Sequence, residues 1–586
     1  MFIKELRWQF YEQLLRKQHV LLLVHLDVDA LATCKILSYL LKCDSVSFTV
    51  SRVSGLRDLQ SAVYENADQI KQMVLVNCGA TINLIEVLQP PNDVTFFVLD
   101  NHRPFDLDNV YDPKQVRLII RQNEEEELAC PQYDQIYKDE RSDDDGEEGE
   151  SSDEEALGDH LFHSPAKKRH THNLERIVEK KQQKEHWIKQ RGDILWQYYE
   201  YSYFSHSSSV IMIEIAHSLS KATTELLWCA VVGFTSQLME GKLNAAQYIS
   251  DCINDLRLLV RRLGNSACNS EEVAGTSALK IRFEKDLFLP FYKHWSLLES
   301  INHSESAVCQ FQLWSQNGHR KLCKFLADVG LPLRECKRRY SSMNSGLKKE
   351  LVESFEKNVE AWQLKDLIVG IFSISYSYTH LLTAADFALC VSALLELPDA
   401  TNESMSDTDR FQMALNSFSF SNVCSIYDGM SLYKRFLEVV LREVSSILNQ
   451  GQVLPSGSFL LLTLSPGNAD TKYFLQPVCL LVFGRFLLRA FLSARKGAYE
   501  RHAAKPLVLA VPMTKPDEGW FLVAGIPPLA VQTDSPRPKN LLGRAFERVA
   551  EQTKCRVHQE SFDTSVVRVK GEDRGRFFDC LSSLLY

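Results

Sequence analysis

The stretch VLLLVHLDVDALATCKIL, residues 20–37, decides the fold prediction for this chain. It begins as a continuous apolar run of strand length and ends with apolar residues at helical spacing. His25, Asp27 and Asp29 stand where the strand gives way to the helix. A continuous apolar strand followed directly by a helix is typical of a parallel sheet that helices cover on both faces.

The same alternation of strand and helix continues to about residue 120. We therefore predict an α/β fold whose first domain, residues 1–123, contains a mostly parallel sheet. In such sheets ligands gather at the carboxyl ends of the strands. Asn77, Asp100, Asn101 and His102 end two of the later strand patterns, so we expect them along the same rim as the first three side chains.

An acidic segment masks the charge of the rest of the chain. The 586 residues have a formal net charge of −9, but residues 124–159 contain 17 acidic and 2 basic residues. Without their −15 the remainder is mildly basic, at about +6, which permits a nucleic-acid partner and equally fits a solvated surface. Like-charge repulsion predicts that the insert, residues 124–166, is disordered. Ser142, Ser152 and Ser164 are candidate phosphorylation sites because of their acidic or proline neighbours.

The rest of the chain divides into three predicted regions. Residues 167–240 contain a basic helix and the remainder of the first domain, residues 241–450 form a helical interaction region, and residues 451–586 form a smaller α/β domain. No apolar run reaches the roughly 18 residues that span a bilayer, so we expect no membrane contact. The 15 cysteines include no CxxC pair, which is typical of reduced core residues in a cytosolic or nuclear protein.

The polar residues at the strand ends are of the types that bind divalent metals. Carboxylates with one imidazole suit manganese or magnesium better than zinc. A two-metal phosphoesterase holds its ions about 3.5–4 Å apart, where they activate water and stabilise the leaving oxygen. Two ions need more ligands than His25, Asp27 and Asp29 supply, so the later strand ends would have to provide the others.

These motifs resemble the DHH phosphoesterase superfamily, which includes the RecJ exonuclease and the manganese pyrophosphatases. HLDVDA corresponds to its His-x-Asp-x-Asp-Gly motif, with Ala30 in place of the glycine, and DNH to its Asp-His-His motif. The resemblance implies a DHH-like first domain and a DHHA1-like C-terminal domain. It also implies lost ligands, because Asn77 and Asn101 stand where the family has an aspartate and a histidine, and Ser236 or Gln237 stands at a further aspartate position.

The loss of these ligands changes the chemistry expected of the rim. Two dications about 4 Å apart would be poorly neutralised, so we expect a protein that is not an enzyme and has no cofactor, with a single weakly bound divalent metal as an open alternative. The remaining side chains are expected to bond one another and backbone N–H groups at helix starts. We call this set the vestigial site: His25, Asp27, Asp29, Asp100 and His102.

A second resemblance covers essentially the whole chain. The N-terminal MFIKELRWQFYEQLL, the acidic insert and the tail from GRAFERVAEQT onward are similar to a family of eukaryotic replication initiation factors with degenerate RecJ-like motifs. The resemblance implies a non-catalytic subunit of the replicative DNA helicase, nuclear and chromatin-associated. Its implied partners are the MCM helicase hexamer, the GINS complex, other replication initiation factors and single-stranded or fork DNA. The alternative is a divergent manganese-dependent DHH phosphoesterase or single-strand exonuclease.

Short segments that combine basic and aromatic residues are candidates for contact with single-stranded DNA, because such segments bind phosphates and stack bases. Arginines on amphipathic helices are also common on surfaces that bind nothing. The sequence contains no P-loop, so ATP hydrolysis would come from a partner. The DNA-binding candidates are Lys337, Arg338, Arg339, Arg537, Lys539, Arg544 and Arg548.

Overall fold

A computed structural model describes most of the chain. The chain forms two compact units, one made of residues 1–122 and 201–586 and the other of residues 123–200. The predicted domain boundaries inside the first unit stay predictions. The described residues are 1–16, 19–121, 129–137, 166–268, 279–376, 380–398, 405–467, 469–494, 497–515 and 517–585.

The first unit begins with a six-stranded parallel sheet, as the sequence predicts. The order of its strands is β1–β7–β5–β4–β2–β3, and every neighbouring pair is parallel. A separate antiparallel pair joins β6 to β8 beside the carboxyl end of β5. The strands are β1 Phe2–Ile3, β2 His19–His25, β3 Ser47–Val53, β4 Gln72–Val76, β5 Thr95–Leu99, β6 His102–Arg103, β7 Val116–Ile119 and β8 Tyr203–Phe204.

Strand β2 is buried on both faces, which is why its sequence is a continuous apolar run. The side chains from Val20 to Val24 are all fully buried, and each contributes roughly 1.5–3 kcal/mol of burial free energy. The helices among these strands are α1 Glu12–Leu15, α2 Val28–Cys43, α3 Leu56–Asn66, α4 Leu84–Leu88 and α5 Leu107–Tyr111, and a π-helical turn spans Leu6–Tyr11.

The second unit contains two described helices, α6 Tyr133–Ile136 and α7 Ala166–Tyr199. Helix α7 is the basic helix that the sequence predicts after the insert. Most of the insert predicted to be disordered, residues 124–166, lies outside the described residues.

The middle of the first unit is mainly helical, and it also holds a three-stranded antiparallel sheet that the sequence pattern did not predict. The sheet has the order β11–β10–β9, with β9 Lys280–Leu287, β10 Ile368–Tyr376 and β11 His380–Thr383. Helices α8 and α9 pack on α2 of the first sheet. The helices are α8 Ser208–Ser218, α9 Thr224–Met239, α10 Ala245–Asp251, α11 Arg257–Cys268, α12 Leu297–Asn302, α13 Glu305–Phe311, α14 Gln316–Asp328, α15 Leu333–Lys337, α16 Ser345–Val359, α17 Ala384–Glu396, α18 Asp407–Ser417 and α19 Val423–Gln450.

The C-terminal part forms a second six-stranded sheet, which confirms the predicted return of strands after residue 450. Its order is β12–β13–β14–β15–β17–β16, and only the β13–β14 pair is parallel. The strands are β12 Leu454–Ser456, β13 Phe459–Thr463, β14 Leu507–Pro512, β15 Trp520–Ile526, β16 Val557–His558 and β17 Val566–Lys570; the helices are α20 Pro477–Ala494, α21 Ala498–His502, α22 Leu529–Asp534, α23 Leu542–Thr553 and α24 Arg574–Leu584.

By length and composition alone, α20 could cross a membrane, although no apolar run of that length was expected. More than half of it is buried inside the protein. Its two arginines form ion pairs with other elements: Arg485 Nε lies 3.5 Å from Glu305, and Arg489 Nη2 lies 2.6 Å from Asp366. A core helix of a folded domain can have the same length and apolar composition, so α20 is only weak evidence for membrane insertion.

Candidate functional site

The vestigial site lies where three adjacent parallel strands end. Strand β2 ends at His25, β4 is followed by Asn77, and β5 is followed by Asp100 and Asn101. Because β5, β4 and β2 are neighbours in the sheet, their carboxyl ends meet along one rim. All of these side chains except His25 are buried.

Asp27 links the end of β2 to the start of α2. Its Oδ1 accepts a hydrogen bond from Ala30 N at 2.6 Å and caps the helix. His25 Nδ1 donates to the other carboxylate oxygen at 2.9 Å. Burial by itself raises the pKa of this carboxyl, but the hydrogen bond and charge of His25, with further help from Lys242, lower it to about 2. Asp27 is therefore an ionised carboxylate that its own neighbours stabilise.

Asp29 is surrounded by donors from the start of α8. Ser207 Oγ donates to Oδ1 at 2.6 Å, and the backbone N–H groups of Ser208 and Ser209 donate at 2.9 and 3.1 Å. Asn101 Nδ2 donates to Oδ2 at 3.1 Å. Burial and the nearby Asp27 raise the pKa of Asp29, and the hydrogen bonds from Ser207 and Ser209 oppose that rise. The carboxylate thus lies at a helix N-terminus, where negative charge is favoured.

Asp100 and His102 form a buried pair at the end of β5. His102 Nδ1 donates to Asp100 Oδ1 at 2.6 Å, and the backbone N–H of His102 donates to the same oxygen at 3.0 Å. Ala80 N donates to Asp100 Oδ2 at 3.0 Å. Burial alone raises the pKa of Asp100, but the charge and hydrogen bonds of His102 hold it below its usual value. Both carboxylate oxygens therefore already have donors.

Asn77 joins the two carboxylates that a metal would need. Its Nδ2 donates to the two oxygens of Asp27 at 3.1 and 3.2 Å and to Asp29 Oδ2 at 3.3 Å. The orientation of its amide is fixed, because Asn77 Oδ1 accepts a hydrogen bond from Ser208 Oγ at 2.5 Å. A donor group faces the carboxylates where the DHH family has an aspartate. The residues present therefore do not fit the manganese centre that the DHH resemblance implies.

The described residues contain no group of three or more His, Cys, Asp or Glu side chains arranged to hold a metal ion. Cys78, beside Asn77, is no replacement for a carboxylate. It is fully buried, burial raises the pKa of its thiol well above the usual value, and Sγ donates to Leu23 O at 3.6 Å. A protonated thiol is a poor ligand for a hard cation.

Ser236 does not contact the carboxylates through any described hydrogen bond, since its Oγ donates to Gly233 O within α9 at 2.7 Å. Gly233 is the residue of α9 that comes close to Asp29. A Cβ atom there would lie 2.4 Å from Ser209 Oγ and 2.9 Å from Asp29 Oδ1. Neither this contact nor the role of the serines that start α8 was predicted from the sequence. A helix start rich in serine, SHSSS at 205–209, was the available signal.

Lys242 supplies a largely buried positive charge beside the vestigial site, and no sequence motif indicated it. Its Nζ lies 2.7 Å from Glu240 Oε2 and 4.5 Å from the centre of the Phe204 ring. Burial alone lowers the pKa of an ammonium group, but Glu240 and then Asp27 raise the pKa of Lys242 above its usual value. A permanent internal cation therefore partly neutralises the carboxylates.

A cavity of about 420 Å³ opens beside the site, and the C-terminal sheet forms its opposite wall. The ring of Phe562 lies 5.3 Å from His25, edge to face. Four of the five arginines that line the cavity form ion pairs with described acids. Arg52 lies 3.6 Å from Asp407, Arg57 3.1 Å from Glu560, Arg568 2.6 Å from Glu560 and Arg485 3.5 Å from Glu305. The cleft is thus charge-balanced rather than strongly basic.

A family model for CDC45 matches residues 20–584. The chain belongs to the CDC45 family. The mouse Cell division control protein 45 homolog is 38% identical, and the human one is 37% identical, each over 100% of both chains. The CDC45 crystal structure from Entamoeba histolytica aligns over 100% of both chains with a TM-score of 0.68 at 17% identity, which supports the shared fold.

The DNA-binding candidates of this CDC45-family chain lie on separate elements. Lys337, Arg338 and Arg339 are exposed at the end of α15, where Arg338 Nη1 contacts Glu335 at 2.8 Å. Arg537 is half-buried, and it donates to Phe204 O at 3.2 Å and to Asp251 at 3.4 Å.

Three further DNA-binding candidates lie near Arg537 in the sequence. Lys539 is exposed, with its Nζ 5.6 Å from the centre of the Tyr203 ring. Arg544 pairs with Glu547 on α23, which also carries Arg548. The contacts of Arg537 and Lys539 connect the C-terminal part to β8, and Arg537 also contacts the end of α10. The predicted phosphorylation sites Ser142, Ser152 and Ser164 lie outside the described residues.

Proposed function

We propose that this chain is a non-catalytic subunit of the eukaryotic replicative DNA helicase, in which it acts with the MCM hexamer and the GINS complex. Membership of the CDC45 family supports a role in DNA replication, and its relatives are named as cell division control proteins. The proposal places the protein in the nucleus on chromatin, with replication initiation factors and single-stranded or fork DNA among its partners.

The hydrogen-bond donors around Asp27 and Asp29 are the observation that supports a non-catalytic role. Asn77, Ser207 and the first N–H groups of α8 occupy the carboxylate oxygens. A metal-dependent hydrolase needs those lone pairs for its ions. The residues of the vestigial site instead tie β2, α2 and α8 together. Their role is therefore structural, since they connect these three elements within the subunit.

Reconstituted unwinding tests this proposal. Purified MCM hexamer, GINS and this chain are mixed with fork DNA and ATP, and strand separation is measured with and without the chain. We expect unwinding to depend on the chain. We also expect Asp27→Asn to support it within twofold of wild type, once thermal unfolding shows that the variant is folded. Unwinding that proceeds without the chain would contradict the proposal, and so would loss of unwinding with a folded Asp27→Asn protein.

A further inference from the structure

One face of the C-terminal sheet combines two aromatic rings with two cations. In the register of β15 and β17, Trp520 is paired with Lys570, and β16 pairs His558 with Arg568. Directly paired residues of antiparallel strands point to the same face. The Trp520 and His558 ring centres lie 4.8 Å apart, and Lys570 Nζ lies 5.2 Å from the Trp520 ring. None of these four side chains is fully buried.

Arg568 connects this face to the cleft beside the vestigial site. Its Nη1 lies 2.6 Å from Glu560 Oε2, and the other Glu560 oxygen lies 3.1 Å from Arg57 Nη2. One carboxylate therefore bridges an arginine of the C-terminal sheet and an arginine at the start of α3. Asp517 is the other described acid that contacts Arg568, at 3.3 Å.

The position of Glu560 is also fixed through its backbone. Leu56 N donates to Glu560 O at 3.0 Å. Gly55 makes this approach possible, because a Cβ atom there would lie only 2.4 Å from Glu560 O. The segment that contains Glu560 therefore packs against the first turn of α3. Its carboxylate forms ion pairs with both arginines, as a bound anion would.

We propose that single-stranded DNA binds along this face, with bases on Trp520 and His558 and phosphates on Lys570 and Arg568, and that Glu560 is an internal carboxylate which a phosphate group replaces between Arg57 and Arg568. The proposal deepens the DNA contact of the proposed function and rests on it. Single strands fit better than duplex, because only unpaired bases offer their faces to aromatic side chains. Arginine pairs bind phosphate with the same donors that they offer to a carboxylate.

The test measures the anisotropy of a fluorescent oligothymidylate with the full chain across a range of NaCl concentrations. Glu560→Gln removes the internal charge and keeps the side-chain shape. We expect its dissociation constant to fall at least threefold, because the phosphate no longer has to displace a carboxylate from the two arginines. The slope against salt, about 0.7 for each phosphate contacted, should stay as in the wild type. Trp520→Leu should weaken binding about fivefold or more through lost stacking. Glu356→Gln is the matched control, because it removes an acid that pairs with Lys285 elsewhere at 2.9 Å.

Each outcome decides one of the two proposals. Tighter binding by Glu560→Gln but not by Glu356→Gln, together with weaker binding by Trp520→Leu, supports the inference. Binding by wild type that neither Glu560→Gln nor Trp520→Leu alters would overturn it and leave the DNA contact of the proposed function in place. Equal tightening by both glutamate variants would mean a general charge effect and would also overturn it. No binding by any of the proteins would remove the DNA contact itself.

Discussion

The amide nitrogen of Asn77 lies 3.1 and 3.2 Å from the two oxygens of Asp27 and 3.3 Å from an oxygen of Asp29, so one neutral donor joins both carboxylates. A divalent cation bound by both carboxylates would have to displace that N–H group. Displacement would also break the hydrogen bond from Ser208 Oγ that orients the amide.

Asn77→Asp should destabilise the protein and give it a response to manganese. The variant places a third carboxylate against two buried ones and removes their shared donor, so unfolding should become easier by about 3–5 kcal/mol in EDTA. Added Mn²⁺ should recover part of that loss. Thermal unfolding of wild type and variant, with and without MnCl₂, measures both effects. A manganese-dependent rise in the melting temperature of wild type would contradict the account.

Lys242→Met should leave Glu240 and Asp27 without their internal cation. Removing one partner of a fully buried ion pair costs about 3–5 kcal/mol. The cost here should be somewhat smaller, because the Lys242 and Glu240 side chains are 15% and 11% exposed. The double variant Lys242→Met with Glu240→Gln should be more stable than Lys242→Met alone, since it removes both charges. Denaturant unfolding of the wild type, the two single variants and the double variant gives the coupling energy. A coupling energy near zero would show that the two side chains act independently.

Glu396 should make the free energy of unfolding decrease as the pH rises above 4.5, the ordinary pKa of this carboxyl in the unfolded chain. Burial raises the pKa of this carboxyl from 4.5 to about 8 in the folded protein, where Cys479 Sγ donates to it at 3.3 Å. The folded state therefore binds a proton that the unfolded state has lost. The contribution is fully present below pH 4.5 and decreases by about 1.4 kcal/mol per pH unit up to about pH 8.

The variant Glu396→Gln should lose this slope and should be more stable than wild type at pH 8, while the two proteins should be similar near pH 4.5. Urea unfolding at several pH values measures the difference. Parallel curves for the two proteins would show that Glu396 does not titrate in this range.

The sequence predicted the first sheet and its rim well, because the strands are continuous apolar runs, His25 ends one strand, and Asp27 and Asp100 closely follow strand ends. It did not predict which donors reach the carboxylates. Ser207 is 178 positions from Asp29 in the chain, and a single sequence contains no signal that pairs two positions so far apart. The substitution at Asn77 was visible, but its amide orientation depends on the hydroxyl of Ser208.

Short strands and buried charges were missed for a different reason. Strands β6, β8 and β16 have two residues each, which is too short for an alternation of apolar and polar residues to show. The sheet of β9, β10 and β11 lies among helices, and β9 carries the charges of KIRFEKDL on an exposed edge. Lys242 follows a helix end in the sequence and has the pattern of an ordinary surface lysine, although its side chain is only 15% exposed.

Hydrolysis of a single-stranded oligonucleotide by the purified chain with MnCl₂ tests the central claim most directly. Wild type and Asp27→Asn are incubated side by side with a labelled strand, and the products are separated on a denaturing gel. The account predicts no shortening of the strand by either protein, because the chain's own donors occupy the carboxylate oxygens. Manganese-dependent cleavage by wild type that is absent in Asp27→Asn would contradict it and would establish the divergent phosphoesterase instead.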